Sequence, residues 1–255
     1  FAGCTSIEKL EIPASVRNEP YDDKNAQVRG IETEAFQNCS SIKTLVFAEG
    51  GTDGLTIGDN AFSGCSALEN VSFTDRLVNA RGKKVDEVPT VLPAIGDNAF
   101  ANCFSLASLE NLGLVEGIGD YAFAYAYGVE GEEGKDVSVN IVIPETVKKI
   151  GVGAFLYSTN LKSVVLPTTI TEIPDVAFAN CENLVSVDFN GNSAITSIGA
   201  AAFVNSAIEE ITLPRDLTSI GVQAFSGCTK LTSVAFPRGI TEVPVQAFAN
   251  CTSLR

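Results

Sequence analysis

The sequence predicts an α/β repeat solenoid. We expect a right-handed stack of about ten units of about 23 residues, with a parallel sheet on one face and short helical turns on the other. Three observations predict this fold: a Phe that recurs in a constant context, a β-branched residue at a fixed distance before it, and an alternating apolar stretch after it.

The recurring Phe marks each unit along the whole chain, and several units are lengthened by insertions. The marker residues are Phe1, Phe36, Phe62, Phe100, Phe123, Phe155, Phe178, Phe203, Phe225 and Phe248. From Phe36 onward, a β-branched residue lies five positions earlier, at Ile31, Ile57, Ile95, Ile118, Ile150, Ile173, Ile198, Ile220 and Val243. Agreement at one offset in every unit indicates repetition of a single structural element.

Each part of the unit has a structural interpretation. Residues 161–166 alternate apolar and polar side chains, which predicts a short half-buried strand that ends before Pro167 because Pro cannot donate to a strand ladder. Residues 176–178 are predicted to form a helical turn. Two residues after the Phe, most units carry Asn or Gly, which tolerate positive φ, so this position is expected to close the turn in the left-handed region.

One unit cannot bury its own apolar residues, and stacking joins them into a continuous core. We therefore interpret residues 1–255 as a single solenoid domain, with insertions near 14–30, 74–93 and 127–139. The chain contains no Met and begins at a repeat Phe, so we expect it to be a slice of a longer array.

The composition excludes several classes of function. The formal net charge of −14 argues against nucleic-acid binding, which needs clustered Lys and Arg. No apolar run approaches the roughly 20 residues that a membrane-spanning helix requires. The absence of His removes the usual general base and imidazole metal ligand, so we predict neither an enzyme nor a bound cofactor or metal.

The seven cysteines follow the repeat register. Each lies three residues after a marker Phe, at Cys4, Cys39, Cys65, Cys103, Cys181, Cys228 and Cys251, while Ala126, Ser158 and Ser206 fill the same position in other units. This pattern predicts a ladder of buried thiols at a site that takes a small residue. Disulfides between neighbouring units remain an alternative, although the odd number leaves one thiol over.

The unit resembles the BspA-like class of leucine-rich repeats, as residues 220–231, IGVQAFSGCTKL, illustrate. The resemblance covers essentially the whole chain. It implies a leucine-rich-repeat scaffold of the kind found in bacterial or protist cell-surface proteins, many of which are adhesins that contact host or matrix proteins. Because the shared residues are structural in that family, the resemblance assigns no binding residue.

Three surfaces are candidates for ligand binding. The first is the solvent side of the strands, with pairs such as Lys9/Glu11 and Ser186/Asp188. The second is the long insertion after residue 74, where Arg81, Lys83 and Lys84 form a basic segment in an acidic protein and could cap a hairpin. For both surfaces, an ordinary solvated face or loop is the competing interpretation.

The third candidate is a local departure from the repeat pattern. Tyr125 and Tyr157 replace the usual Asn or Gly in two consecutive units, with Tyr121 and Tyr127 close by in sequence and an acidic insertion after residue 129. Equivalent positions in adjacent units lie close together, so we expect the two rings to form a flat apolar platform. The competing interpretation is that these tyrosines fill core volume.

The leading functional hypothesis is an extracellular or cell-surface binding and adhesion module for a host or matrix protein or a glycan. The alternative is an architectural spacer that presents another domain and has no ligand of its own. An exposed aromatic cluster would favour the first hypothesis.

Overall fold

The computed structural model describes residues 1–13, 30–47, 56–73, 94–110, 115–128, 138–191 and 194–255. Within them the chain forms fifteen short strands, all paired in parallel within their sheets. The strands are β1 Lys9–Ile12, β2 Thr44–Phe47, β3 Asn70–Phe73, β4 Ala94–Ile95, β5 Ser108–Glu110, β6 Gly117–Ile118, β7 Val139–Val142, β8 Lys149–Ile150, β9 Leu161–Val165, β10 Glu172–Ile173, β11 Ser186–Asp188, β12 Ser197–Ile198, β13 Glu210–Thr212, β14 Ser219–Ile220 and β15 Ser233–Ala235.

The longer strands form one side of the solenoid. They pair as β1-β2-β3-β5, β7-β9-β11 and β13-β15, and the register couples equivalent residues of successive units, such as Leu10 with Leu45 and Val187 with Val164. Strand β9 covers the stretch predicted from alternation and ends two residues before Pro167, so the strand prediction is confirmed. Within β9, Leu161 and Val164 are buried three positions apart rather than two, because the register against β7 shifts between Val139 and Asn140.

The shorter strands form a second side that the sequence analysis did not recognise as strand. They pair as β4-β6-β8 and β10-β12-β14, and isolated bridges from Ile31 to Ile57 and from Ile57 to Ile95 extend the column. Each of these strands ends at the β-branched residue that precedes the marker Phe by five positions. The β-branched preference therefore reflects a buried parallel strand of two residues.

The third side is a stack of turns, and here the predicted helical turns are wrong, because the described residues contain no helix. Val176 has a φ of 49° and Asn180 one of 57°, whereas an α-helix needs φ near −63°. Alternate N–H groups point along the solenoid axis, and those of Val176, Phe178 and Asn180 donate to carbonyls of the next unit at 2.8–2.9 Å. Backbone bonds between units thus replace the i to i−4 bonds of a helix.

The core is a column of stacked Phe rings. All ten marker Phe take part, and consecutive centroids lie 5.2–5.5 Å apart with nearly parallel planes. Phe62 through Phe225 are fully buried, whereas Phe1 at the end of the column is 79% exposed. The predicted burial of the repeat Phe in one column is confirmed for its interior.

Candidate functional site

The turns present two left-handed residues per unit to solvent, on either side of the inward-pointing marker Phe. The residue two positions after the Phe has a φ between 56° and 75° in every unit, at Gly3, Asn38, Gly64, Asn102, Tyr125, Tyr157, Asn180, Asn205, Gly227 and Asn250. The expectation of left-handed geometry there is confirmed. We call this row the turn edge. The residue two positions before the Phe is also left-handed, which no residue preference in the sequence had signalled.

Side chains along the turn edge pack onto one another between units. The Nδ2 of Asn205 donates to Oδ1 of Asn180 at 2.8 Å. A Cβ on Gly64 would lie 2.2 Å from Oδ1 of Asn38. The side chain of Asn38 therefore occupies the space that a side chain at position 64 would need, and glycine is the residue that fits there. The turn edge is therefore a continuous row of side chains that runs along the solenoid axis.

Tyr125 and Tyr157 interrupt this row in consecutive units. Their ring centroids lie 4.7 Å apart with planes 9° from parallel, and the two residues are 40% and 39% exposed. The expectation that the rings lie together at the surface is confirmed. Since two coplanar rings side by side could not approach so closely, each ring covers a face of the other, and the predicted flat platform is wrong.

The stacked arrangement changes what the pair offers a ligand. The facing sides of the rings contact each other, so those two faces are not available to a ligand, whereas ring edges and hydroxyl groups can be. Ring edges carry positive partial charge, and phenol hydroxyls both donate and accept hydrogen bonds. The pair can therefore receive hydrogen-bond acceptors, or the face of a further aromatic ring in an edge-to-face contact.

Tyr121 is a third exposed tyrosine, four residues before Tyr125, and we call the three residues the tyrosine cluster: Tyr121, Tyr125 and Tyr157. Tyr121 is 36% exposed and lies two positions before Phe123. Its ring occupies the space beside Gly153 in the next unit, where a Cβ would lie 2.4 Å from Cε1. Gly153 itself has a φ of 58°. Glycine at this position therefore both permits the left-handed turn and leaves room for the Tyr121 ring.

All three cluster residues hold backbone conformations that tyrosine disfavours. Their φ values are 55°, 57° and 56°, and a non-glycine residue in this region costs about 1–3 kcal/mol. The backbone turn has not been rebuilt to accommodate them, because Tyr125 and Tyr157 still donate their N–H groups to the next unit at 2.7 and 2.9 Å. The strained residues lie at the surface, and each of their side chains is partly buried.

Tyr127, by contrast, is part of the core, and its assignment to an exposed cluster is wrong. The residue is fully buried, and its ring packs against Phe123 with a centroid distance of 6.2 Å. Its hydroxyl has no hydrogen-bond partner among the described residues, and burial raises the pKa of this phenol well above its usual range. The volume-filling interpretation therefore holds for this tyrosine.

The nearby charged groups already have partners. The carboxylate of Asp120 accepts the N–H of Val152 at 2.8 Å, and Lys148 forms an ion pair with Glu116. Asp59, Asp97 and Asp175 accept an N–H of the next unit in the same way. These carboxylates hold units together, and the tyrosine cluster lies beside a row of engaged acidic groups.

The basic candidates Arg81, Lys83 and Lys84 lie outside the described residues, as do the acidic segment 130–136 and the insertions over 14–29 and 74–93. On the strand face, the predicted outward pairs Lys9/Glu11 and Ser186/Asp188 are exposed as expected. Neither strand adds a large apolar side chain to the exposed face beside its pair. This part of the face therefore offers a ligand little contact area.

The cysteine ladder is structural. The seven cysteines are free, and five of them are buried. In most units where the position carries Cys or Ser, its side chain also donates to a carbonyl of the preceding unit, which the sequence analysis missed: Cys65 Sγ–H donates to Phe36 at 3.2 Å, Cys181 to Phe155 at 3.1 Å, and Ser158 Oγ–H to Phe123 at 3.1 Å. Burial raises the pKa of Cys65 and Cys181 to about 12, so neither is a reactive thiolate at neutral pH.

Among the residues that the structure describes, no group of three or more metal-binding side chains comes together. The described part of the chain likewise contains no helix of the length and hydrophobicity needed to cross a membrane.

Comparison with known families identifies the class of protein. The BspA type leucine rich repeat region matches residues 29–130 and 135–255 in six copies. The chain therefore belongs to the BspA-type leucine-rich-repeat family. Because six copies are matched, the predicted count of about ten units is not supported.

Two solved structures with TM-scores above 0.5 show the same fold, and a third is similar in sequence over most of its length. A leucine-rich repeat protein of Bacteroides ovatus is 24% identical with a TM-score of 0.58, covering 96% of this chain and 62% of that one. The Treponema pallidum leucine rich repeat protein is 24% identical with a TM-score of 0.53, covering 88% and 78%. A leucine rich cell surface protein of Faecalibacterium prausnitzii is 20% identical with a TM-score of 0.34, covering 97% and 86%. No curated protein matches the chain.

Proposed function

We propose that this protein is an extracellular or cell-surface binding module that recognises a host or matrix protein or a glycan through the tyrosine cluster. The observation that carries the proposal is the exposed Tyr125–Tyr157 stack on a row that otherwise contains only Asn and Gly. Arg81, Lys83 and Lys84 remain a further candidate for the same function.

The energetic argument compares Tyr with the residues it replaces. Asn adopts left-handed φ several-fold more readily than other non-glycine residues, and Gly adopts it freely, so either would fit this turn with less strain. The stack returns roughly 0.5–1.5 kcal/mol in addition to the partial burial of each ring, and these gains are set against a strain of about 1–3 kcal/mol per residue. Two large aromatic side chains thus occupy a strained and partly exposed position where the rest of the row has Asn or Gly, as expected for residues that contact a ligand.

The chemistry of the cluster favours a ligand rich in hydrogen-bond acceptors or aromatic rings. Tyrosine provides a large contact area with little loss of side-chain entropy, and it is enriched among residues that dominate binding energy. Both proteins and glycans present such acceptors. The acidic balance of the chain, −14, argues for a ligand that is not strongly negative at this surface.

The test starts with a panel of purified extracellular-matrix proteins and a glycan array, screened with the wild-type chain. For any ligand found, the variant Tyr125→Asn/Tyr157→Asn restores the residue that the rest of the row uses. We expect it to weaken binding by about 2 kcal/mol or more, a thirtyfold rise in Kd.

A matched control changes the same row elsewhere. Asn180→Ala/Asn205→Ala removes the 2.8 Å side-chain hydrogen bond of two neighbouring units without altering a tyrosine, and should leave the affinity unchanged. Equal affinity of wild type and the tyrosine variant would remove the cluster from the binding site. Failure of the whole panel to bind would favour the architectural spacer.

A further inference from the structure

The unit of Phe203 is one residue shorter than the units around it. Leu184 lies three positions after Cys181, a spacing that most units repeat, whereas Ile208 lies only two positions after Ser206. The missing residue falls in the segment that leads into β13. In a parallel ladder the N–H and C=O groups of neighbouring strands must meet in register, so this deletion disturbs the pairing of the unit with the one before it.

The ladder of longer strands is interrupted where the two units meet, at what we call the Phe178–Phe203 junction. Strand β11 pairs with β9, and β13 pairs with β15, but in the described chain β11 and β13 do not pair with each other. The hydrogen bond that begins the ladder, from the Glu209 N–H to the Val185 carbonyl, is stretched to 3.5 Å. The equivalent bond measures 2.8–3.1 Å at six other junctions.

Two other bonds between units are missing at the same junction. The N–H of Leu166 donates to the carbonyl of Asp188 in the next unit at 2.8 Å, whereas the equivalent N–H of Phe189 donates to no described residue. The buried side-chain ladder is also broken, because Ser206 Oγ donates to the carbonyl of Phe203 in its own unit at 2.8 Å. The cysteines at this position in the units on either side donate to the preceding unit instead.

The turn side of the junction is closed. The Phe178 N–H donates to the Ala202 carbonyl at 2.8 Å, and the side chain of Asn205 donates to that of Asn180 at 2.8 Å. Strands β10 and β12 pair on the second side. The rings of Phe178 and Phe203 remain stacked, although their separation of 5.5 Å is the largest in the column.

The side formed by the longer strands, the strand side, is open at this junction. A groove of about 560 Å³ lies there between β11 and β13, and Val187 and Ile211 are among the residues that line it. Val187 is 8% exposed, whereas the equivalent Val164 and Val71, in strands that pair on both sides, are 1% and 0% exposed. The core is therefore slightly open to solvent at the interruption.

We propose that the Phe178–Phe203 junction is a hinge of the solenoid, which bends by widening on the strand side while the turn side stays bonded. Each unit of a solenoid contacts only its neighbours, so the stiffness of the array at any point depends on a single junction. Widening of this junction changes the curvature of the strand face. The hinge does not depend on the tyrosine cluster, which lies in earlier units on the turn side.

Amide hydrogen exchange, measured by NMR on the full 255-residue chain, tests whether the strand side is open. After correction for intrinsic rates, we expect the Phe189 amide to exchange at least tenfold faster than the Leu166 amide. The Phe178 amide, which crosses the same junction on the turn side, should be as protected as Leu166. Equal protection of Phe189 and Leu166 would show a closed junction and would overturn the hinge.

Restoring the missing residue should close the junction. One Asn inserted between Ala207 and Ile208 restores the common spacing and should slow Phe189 exchange at least tenfold. The same insertion between Thr229 and Lys230 lengthens a complete unit and should leave Phe189 unchanged. Circular dichroism checks that each variant is folded. A folded Ala207–Ile208 insertion that leaves Phe189 exchange unchanged would contradict the proposal.

The converse variant keeps the test decisive if the insertion prevents folding. Deleting Asn183 creates the same short spacing one unit earlier, where the Leu166 N–H crosses to Asp188. We expect Leu166 exchange to rise at least tenfold in this variant. Protection of Leu166 at its original level would show that a short unit does not open the strand side, and the hinge would lose its cause.

A distance measurement tests the bending itself. Spin labels at Asn140→Cys and Ser233→Cys lie on the exposed strand face on either side of the junction, and the partly exposed Cys4 and Cys251 are replaced by Ser. Electron paramagnetic resonance should give a broad distribution of distances between the labels, which narrows when the Asn insertion is present. Equally narrow distributions in the two proteins would show a rigid junction and would overturn the hinge.

Discussion

Replacing Phe178 with Ala tests the stacked core most severely. Phe178 is fully buried, with ring centroids 5.2 Å from Phe155 and 5.5 Å from Phe203. Truncation of a large core aromatic usually costs about 3–5 kcal/mol. We expect the upper part of that range, about 4–5 kcal/mol, because two stacking partners are lost together. The neighbouring rings also cannot move into the cavity, because hydrogen bonds between units, such as Phe178 N–H to the Ala202 carbonyl, fix the spacing of the units.

Urea unfolding followed by circular dichroism and by tyrosine fluorescence gives the free energy, and coincidence of the two curves tests for a two-state transition. Phe1→Ala is the matched control, because Phe1 stacks on Phe36 at 5.3 Å yet is 79% exposed. It should cost less than about 1 kcal/mol. A loss below about 1 kcal/mol at Phe178 would refute the assignment of the Phe column as the core.

Three further predictions concern buried polar groups. Cys181→Ala should retain most of the stability, with a loss of about 1–2 kcal/mol for one hydrogen bond and a small void, whereas Cys181→Asp should abolish cooperative unfolding because it buries an unpaired charge. Stability measured in urea should fall as pH rises from about 9 toward 12, since Cys65 and Cys181 ionise near 9.0 when unfolded but near 12 when folded, so the unfolded state binds fewer protons; a flat profile would contradict the burial of these thiols. Tyr127→Phe should raise the unfolding free energy by about 1 kcal/mol because it removes a buried hydroxyl that bonds to no described residue, and a clear loss would show that the hydroxyl is bonded.

The repeat could be predicted from the sequence because burial and backbone geometry require particular residue types at fixed offsets. The marker Phe, the alternating strand and the left-handed Asn or Gly each follow from a local physical demand, and the structure confirms all three. The helical turn was predicted wrongly at Val176-Ala177-Phe178 because three consecutive apolar residues do not indicate the backbone φ angle. Val176 adopts a φ of 49°, held by an N–H bond to the next unit that no local pattern encodes.

The candidate site was predictable only in part. Departure from the repeat identified Tyr125 and Tyr157, since the surrounding units provide the reference against which they stand out. It could not distinguish stacked from coplanar rings, nor separate exposed Tyr121 from buried Tyr127, because side-chain direction depends on packing across units.

The free energy of unfolding of Tyr125→Asn/Tyr157→Asn tests the central claim most directly, since it asks whether these tyrosines serve the fold. Asn relieves the left-handed strain, which offsets the lost stacking and the partial burial of two rings. We therefore predict a free energy of unfolding within about 1 kcal/mol of the wild type, together with the loss of ligand binding. A loss of stability above about 2 kcal/mol would show that the tyrosines are packing residues of the turn side and would contradict their role as a binding surface.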